Sequence, residues 1–234
     1  MYDPRTSNSP SPFRSNRDGE RERKQKREAL LLAAVRMFNE RGFHATSLED
    51  VAASLGVTKP VIYHHLGNKE KVLLECVRIG LHELQLVARQ SRQEPGSGFD
   101  RLRSFLRRYA EVIMDDFGKC LIRTGDELLS PEGRKKFRGL KGEVDSAMRE
   151  IIVEAVADGS AIVHDVRLTA FAFAGALNWP ARWFEADGAL TSREVADGLV
   201  EILCAGIDPN HNCVRETPAR ESSAGTAAPE HDDS

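Results

Sequence analysis

No apolar run in the 234-residue chain is long enough to cross a membrane; stretches such as Ala170 to Leu177 stop far short of the roughly 18 to 20 residues that a spanning helix needs. Residues Met1 to Asn16 carry Arg5 and Arg14 around no apolar centre, so no secretory signal is expected there. Cysteine is scarce. Cys76, Cys120, Cys204 and Cys213 form no C-x-x-C pair, which argues against a disulfide framework and a zinc site and for reduced, buried thiols in a cytoplasm. His64 and His65 are adjacent, point about 100° apart on a helix and do not share a metal in the i, i+4 manner. Neither metal nor cofactor is expected.

Catalytic signatures are missing too. There is no G-x-S-x-G and no H-E-x-x-H, and Gly96-Ser97-Gly98 follows no strand, so it is no phosphate cradle. The acidic pairs Asp115-Asp116 and Asp126-Glu127 stand at i, i+1 and do not converge. An enzyme is not expected. An excess of one charge is also lacking: 33 basic against 36 acidic side chains, net −3, taken alone argues against a chain that coats nucleic acid indiscriminately and leaves room for a local basic face. Strand-period alternation and solenoid repeats are absent, which leaves an all-α chain.

What is present is helical periodicity. Leu30, Ala34, Met37 and Phe38 form a stripe on a helix from about 22 to 41, closed by Gly42. Leu48, Val51, Ala52 and Leu55 repeat that spacing on a short helix, with Thr46 and Glu49 as a capping box and Gly56 as the stop. A third helix opens at Thr58, carries Pro60 in its first turn and turns Ile62 and Leu66 inward. Asn68 caps a long fourth helix. Further helices are predicted at about 99–116, 120–129, 131–158, 165–186 and 191–206, the last opened by Thr191 with Glu194. The expected divisions are a disordered arm over 1–19, a three-helix helix-turn-helix domain over 20–76, a helical-bundle domain over 77–207 and a disordered acidic tail over 208–234.

The segment Thr46 to Leu74 carries the function. Two short helices flank Leu55-Gly56-Val57, where Gly56 permits a left-handed turn and Val57 plugs the gap between them. Such an arrangement offers the second helix to a DNA groove, although generic three-helix packing gives the same apolar spacing. Subtracting the inward residues leaves Thr58, Lys59, Pro60, Tyr63 and His64 outside, a set of hydroxyls, one cation and an imidazole suited to phosphates and base edges. Lys69 follows at the start of the next helix, where free backbone N–H groups also favour a phosphate. Arg21, Arg23, Lys24, Lys26 and Arg27 make helix one basic at its start, as phosphate contacts or as an ordinary solvated face.

Phe38-Asn-Glu-Arg-Gly-Phe43, Thr46-Ser-Leu-Glu-Asp-Val-Ala52, Leu55-Gly-Val57, Ile62-Tyr-His-His-Leu66 and Asn68-Lys-Glu70 together resemble the DNA-binding domain of the tetracycline-repressor (TetR) family over about residues 22 to 75. Leu66 departs from the family's more usual Phe, an apolar exchange on the buried side. The resemblance implies an all-helical homodimer joined through its last two helices, a palindromic double-stranded operator, and repression relieved by a small effector in the C-terminal domain. By position, Thr46 and Thr58 are implied as phosphate contacts or caps, Lys59, Pro60, Tyr63 and His64 as the groove-facing set, and Lys69 as a backbone anchor. A non-sensing structural DNA binder, or an activator with the same DNA-binding domain, are the alternatives; an apolar cavity in the C-terminal domain would separate the sensing and non-sensing cases.

Beyond Val77 less is legible. Asn178-Trp-Pro-Ala-Arg-Trp-Phe184 with Gly188-Ala-Leu-Thr191 is similar to a subset of the family that senses acyl-coenzyme A, a ligand that needs an apolar slot and cations for its phosphates. Arg123, Arg182 and Arg107 or Arg108 are cationic candidates, with surface ion pairs as the competing reading. Tyr109, Phe117, Arg123, Met148, Trp179 and Trp183 are the expected ligand-binding residues, although the apolar ones equally fill a core or a dimer interface. Charge distribution resolves the apparent objection to DNA. Residues 20–75 hold ten Lys or Arg against eight acids, whereas the stretch from Asp208 onward holds six acids against two arginines. A near-neutral total then fits a site-specific binder with limited non-specific affinity.

Overall fold

The computed structural model describes residues 16–209; the expected arm before residue 16 and the tail after 209, with Cys213, lie outside the described residues. All regular structure among these residues is helical: α1 Asn16–Arg41, α2 Leu48–Ser54, α3 Lys59–Leu66, α4 Lys69–Arg92, α5 Gly98–Met114, α6 Asp116–Arg123, α7 Pro131–Ala157, α8 Val166–Asn178, α9 Pro180–Trp183 and α10 Ser192–Ala205. Among the described residues no helix is long and apolar enough to cross a membrane. Cys76, Cys120 and Cys204 are buried free thiols.

α4 is the spine. It packs on α1 of the N-terminal helices and on α5, α6 and α7 of the C-terminal bundle. Val72, Leu73, Cys76 and Val77 are buried towards the N-terminal helices, the Cys76 sulfur lying 4.0 Å from the Leu31 carbonyl oxygen, and Leu81 and Leu84 look into the C-terminal bundle. One contiguous apolar core therefore runs from Leu30 to Ile207 through both halves. At the junction of α5 and α6 the chain turns on Asp115, whose extended backbone ends one helix and whose carboxylate accepts from the Gly118 N–H to start the next. The turn is so close that a Cβ on Gly118 would run into the carbonyl oxygen of Val112.

Several boundaries differ from the sequence reading. α1 begins at Asn16, inside the expected arm, and from Gly19 to Ala29 it buries no side chain. Exposed i, i+4 pairs such as Lys26–Glu22 at 2.9 Å and Lys24–Glu28 at 3.8 Å lie along this stretch, which has no apolar stripe to announce it. The helix expected over 120–129 is instead α6, followed by a short 3-10 turn at Asp126–Leu128, because Asp115 moves the cap upstream. The helix expected over 165–186 is broken at Trp179, since Pro180 has no N–H to continue the ladder. The capping box of α2 is Ser47 with Asp50, one residue later than Thr46 with Glu49. Thr46 is buried, and its hydroxyl sits 2.9 Å from the Gly42 carbonyl oxygen and 3.2 Å from that of Met37, tying the end of α1 to α2.

Candidate nucleic-acid interface and ligand cavity

α2 and α3 meet through a turn that follows from its three residues. Gly56 adopts φ +64°, open to glycine at little cost, and the Val57 N–H returns to the Ala52 carbonyl at 3.0 Å. Val57 packs against the core between the helices, Ala52 is buried at their close approach, and Ile62 and Leu66 anchor α3. Gly67 at φ +76° then releases the chain into α4, where the Asn68 carboxamide oxygen accepts from the Lys71 N–H at 2.9 Å. The side of α3 turned away from the core carries Lys59, Pro60, Tyr63 and His64, all exposed, with exposed Thr58 just ahead of them. Thr58 occupies the N-cap position of α3 but makes no capping hydrogen bond, which leaves its hydroxyl available.

Thr46 departs from the expected set. Its hydroxyl points inward to backbone carbonyls, so it is a structural tie and offers nothing to a phosphate. Lys69 lies beside the exposed surface at the α4 start, its ammonium donating to the His44 carbonyl at 3.3 Å and sitting 4.4 Å from the centre of the Phe43 ring. One residue that the sequence reading assigned only to a helix cap joins this surface. Glu49 accepts from the Tyr63 hydroxyl at 3.2 Å and contacts the Lys59 ammonium at 2.5 Å, and the same ammonium lies 5.6 Å from the Tyr63 ring centre. The Lys59 hydrogen bond holds the Glu49 carboxyl below its usual range, and Glu49 in turn raises the Lys59 ammonium. Ser47-x-x-Asp50 fits the capping pattern as well as Thr46-x-x-Glu49 does; the register that buries Thr46 frees Glu49 to reach α3.

Between α4, α5, α6, α7 and α8 the C-terminal bundle holds a half-open cavity of about 310 Å³. Leu81, Leu84, Leu121, Val144 and Met148 give it apolar walls, and the Tyr109 hydroxyl donates to the Asn178 side-chain oxygen at 2.9 Å on its lining. Burial pushes the Tyr109 phenol up to about 12, so it stays a neutral donor. Of the expected ligand residues, Tyr109 and Met148 line this space. Phe117 lies instead beside Leu31 and Leu32 of α1, and Trp179 and Trp183 are exposed, 64% and 48%, while Pro180 and Ala181 between them are buried. Arg123 faces the other side of α6, donating to the carbonyls of Ala181 at 2.9 Å and Asn39 at 2.8 Å.

Arg107 and Arg108 follow the competing reading of surface ion pairs. Arg107 pairs with Asp197 and Arg108 with Glu94. The cations beside the cavity are Lys141, on its lining, and Arg149 and Arg167, stacked near the half-exposed ring of Phe171 at 6.0 and 5.4 Å; Arg149 also pairs with Asp145. No sequence signal separates these from solvated helix charges.

α6 links the two sites. Leu121 and Ile122 line the cavity, while Asp116 at its start pairs with Arg36 at 2.8 Å and its backbone oxygen accepts from Asn39 at 2.8 Å, both on α1. Beside that start, burial and the neighbouring Glu83 raise the Asp115 carboxyl to about 6.

A helix-turn-helix with an exposed polar second helix, continuous with a helical bundle, defines a DNA-binding regulator. Residues 30–76 match the family described as bacterial regulatory proteins, tetR family, and residues 95–207 match the tetracyclin repressor-like C-terminal domain. The chain is 31% identical over 196 residues to the HTH-type transcriptional repressor KstR2 of Rhodococcus jostii, covering 80% of this chain and 93% of that protein. It is 26% identical over 199 residues to the HTH-type transcriptional activator FasR of Mycolicibacterium smegmatis, covering 84% and 90%. Among solved structures it is similar to AibR in complex with isovaleryl coenzyme A and operator DNA, at TM-score 0.66 and 27% identity over 76% of this chain and 97% of that one. The protein belongs to the TetR family and is a DNA-binding transcriptional regulator.

Proposed function

We propose that the protein acts as a homodimeric repressor that leaves a palindromic operator when a small apolar-bodied effector fills the C-terminal cavity. The observation that carries this reading is the position of the cavity: its walls include α4, which follows the recognition helix directly, and α6, which is tied to α1. Thr58, Lys59, Pro60, Tyr63, His64 and Lys69 would face DNA, two copies of α3 entering successive major grooves about 34 to 36 Å apart. A filled cavity would displace α4 and α6 together and change that separation. An effector does this only by binding the DNA-free form more tightly, and DNA must weaken effector binding to the same degree.

Dimerisation would use the outward faces of α8 and α10. Leu168, Ala172, Gly175 and Trp179 fall at i, i+4, i+7, i+11 on one exposed stripe, and Gly198 and Ile202 continue it on α10. An acyl-coenzyme A is the effector class we favour. A cavity of about 310 Å³ matches an acyl chain and not a whole thioester, while Lys141, Arg149 and Arg167 would lie near the phosphates outside. The AibR complex shows that a TetR-type neighbour of this chain holds such a thioester. An activator would use the same DNA-binding surface, as the name of FasR illustrates, and a promoter fusion with and without the regulator separates the two directions.

The test is a thermal-shift screen of acyl-coenzyme A esters against aromatic and drug-like compounds, followed by operator titration with any compound that stabilises the protein. The expected result is stabilisation by at least one acyl ester and weaker operator binding in its presence. Unchanged operator affinity at saturating ligand would refute the coupling.

A further inference from the structure

Glu49 stands among the residues turned towards DNA although a carboxylate there is repelled by phosphates. Its side chain is 42% exposed, it comes from α2 and not from the recognition helix, and one of its oxygens serves both Lys59 and Tyr63. Asp50 beside it is consumed by the capping box, its carboxylate accepting from the Ser47 N–H and hydroxyl. The start of α2, where free N–H groups would ordinarily welcome a phosphate, therefore presents two acids. On α3 itself Lys59 is the one lysine or arginine, and it is already paired with the Glu49 carboxylate.

Non-specific DNA affinity comes from ammonium and guanidinium groups that replace counterions on phosphates, one charge per contact, whereas discrimination comes from base edges. A lysine paired with a carboxylate on the same surface contributes to the first only after that pair is broken. On an operator, contacts to base edges from groups outside this cluster, such as His64, supply free energy that mixed-sequence DNA cannot. We infer that Glu49 is a specificity-determining residue: by competing with phosphate for the Lys59 ammonium, it suppresses binding to mixed-sequence DNA more than binding to the operator. This inference rests on the reading of α3 as the DNA-facing helix.

The experiment compares wild type, Glu49→Gln, Lys59→Gln and the double variant, each as the full chain. Each is titrated against a duplex selected from a random pool by the wild-type protein and against a scrambled duplex of equal length, over a range of salt concentrations. Glutamine keeps the length and hydrogen-bonding capacity of Glu49 at an exposed position, so folding is not at risk, and circular dichroism checks it. Glu49→Gln is expected to tighten scrambled-duplex binding about three- to tenfold, steepen its log K against log salt by about one, and lower the operator-to-scrambled ratio at least about threefold. In the Lys59→Gln background the same substitution should change the ratio by less than about twofold. Equal tightening on both duplexes, no tightening on either, or an undiminished effect without Lys59 would each overturn the role of Glu49. If the wild type selects no sequence and binds neither duplex, the DNA-facing reading of α3 fails first and takes this inference with it.

Discussion

The recognition end and the cavity end of this protein hold their functional residues in opposite ways. On α3 the residues of interest are the ones the core rejects: once Ile62 and Leu66 are buried, Lys59, Pro60, Tyr63 and His64 are what remains. In the C-terminal bundle the residues of interest are core residues themselves. Leu84, Met148 and Tyr109 are buried, as Phe105 and Ile152 are, and only the failure of neighbouring helices to close over them makes a cavity. Exposure marks function at one end, and incomplete packing marks it at the other. Incomplete packing depends on how far apart the helices stand, which depends in turn on a few close contacts elsewhere.

The largest predicted effect tests that dependence. Gly118→Ala would force a Cβ into the Val112 carbonyl, hard backbone that cannot yield, so α6 must move off α5. We expect a loss of about 3 kcal/mol or more, seen in urea denaturation, and collapse or opening of the cavity. Gly56→Ala, at φ +64° but with open space around the added carbon, should cost only about 1 kcal/mol and chiefly weaken DNA binding through the turn. Similar losses from both would mean that the bundle is no more tightly determined at its junction than the turn is.

The next two predictions dissociate the ends. Lys69→Ala should weaken operator binding by about 1 to 3 kcal/mol and make log K less steep in log salt by about one, while ligand stabilisation of the protein stays unchanged. Tyr109→Phe should do the reverse. It removes the donor to Asn178 and leaves a carboxamide oxygen without its partner, for a loss of about 1 to 2 kcal/mol in thermal stability and a change in ligand affinity, with operator affinity of the ligand-free protein kept. A gel-shift titration in which Lys69→Ala binds like wild type would sink its assignment as an anchor.

Most helices and the recognition turn were legible because their signals are local: apolar spacing, Gly56, Asn68, and the capping pair Thr191–Glu194, which is present as expected. The capping box of α2 was misplaced by one residue because two overlapping sequences satisfy the pattern, and only the inward packing of Thr46 decides between them. That single register also hid Glu49. In the bundle, Trp179 and Trp183 drew attention as large aromatics, yet both are exposed, and the small residues between them, Pro180 and Ala181, are the buried ones. Arg123 looked like a phosphate ligand, but backbone carbonyls of Asn39 and Ala181 capture it, and no residue pattern announces a partner that is main chain. The cations beside the cavity, Lys141, Arg149 and Arg167, come from two helices and meet only in space.

The smallest prediction concerns the tie that joins the basic start of α1 to the spine. Glu75 on α4 receives Arg78 at 2.8 Å and Arg27 of α1 at 2.9 Å, and the Arg78 hydrogen bond, aided by Arg27 against the opposing effect of burial, lowers its carboxyl to about 2. Because the folded value lies below the ordinary 4.5, the stabilisation is fully present above about pH 4.5 and is lost as the pH falls towards 2, where the unfolded chain takes up its proton first. Solvent screens this partly exposed cluster, so Glu75→Gln should cost only about 1 kcal/mol at pH 7. Urea denaturation at pH 7, 5, 4 and 3 should show the difference between wild type and Glu75→Gln shrinking below pH 4.5. A difference that stays constant would mean that Glu75 acts through packing or a neutral hydrogen bond and not through its charge. The tie touches neither the exposed side of α3 nor the cavity, so operator affinity and ligand stabilisation should both survive the substitution. If operator affinity falls instead, the position of α1 is set by this ion cluster as well as by Arg36 and Asn39, and the DNA-binding end is less autonomous than its local sequence signals imply.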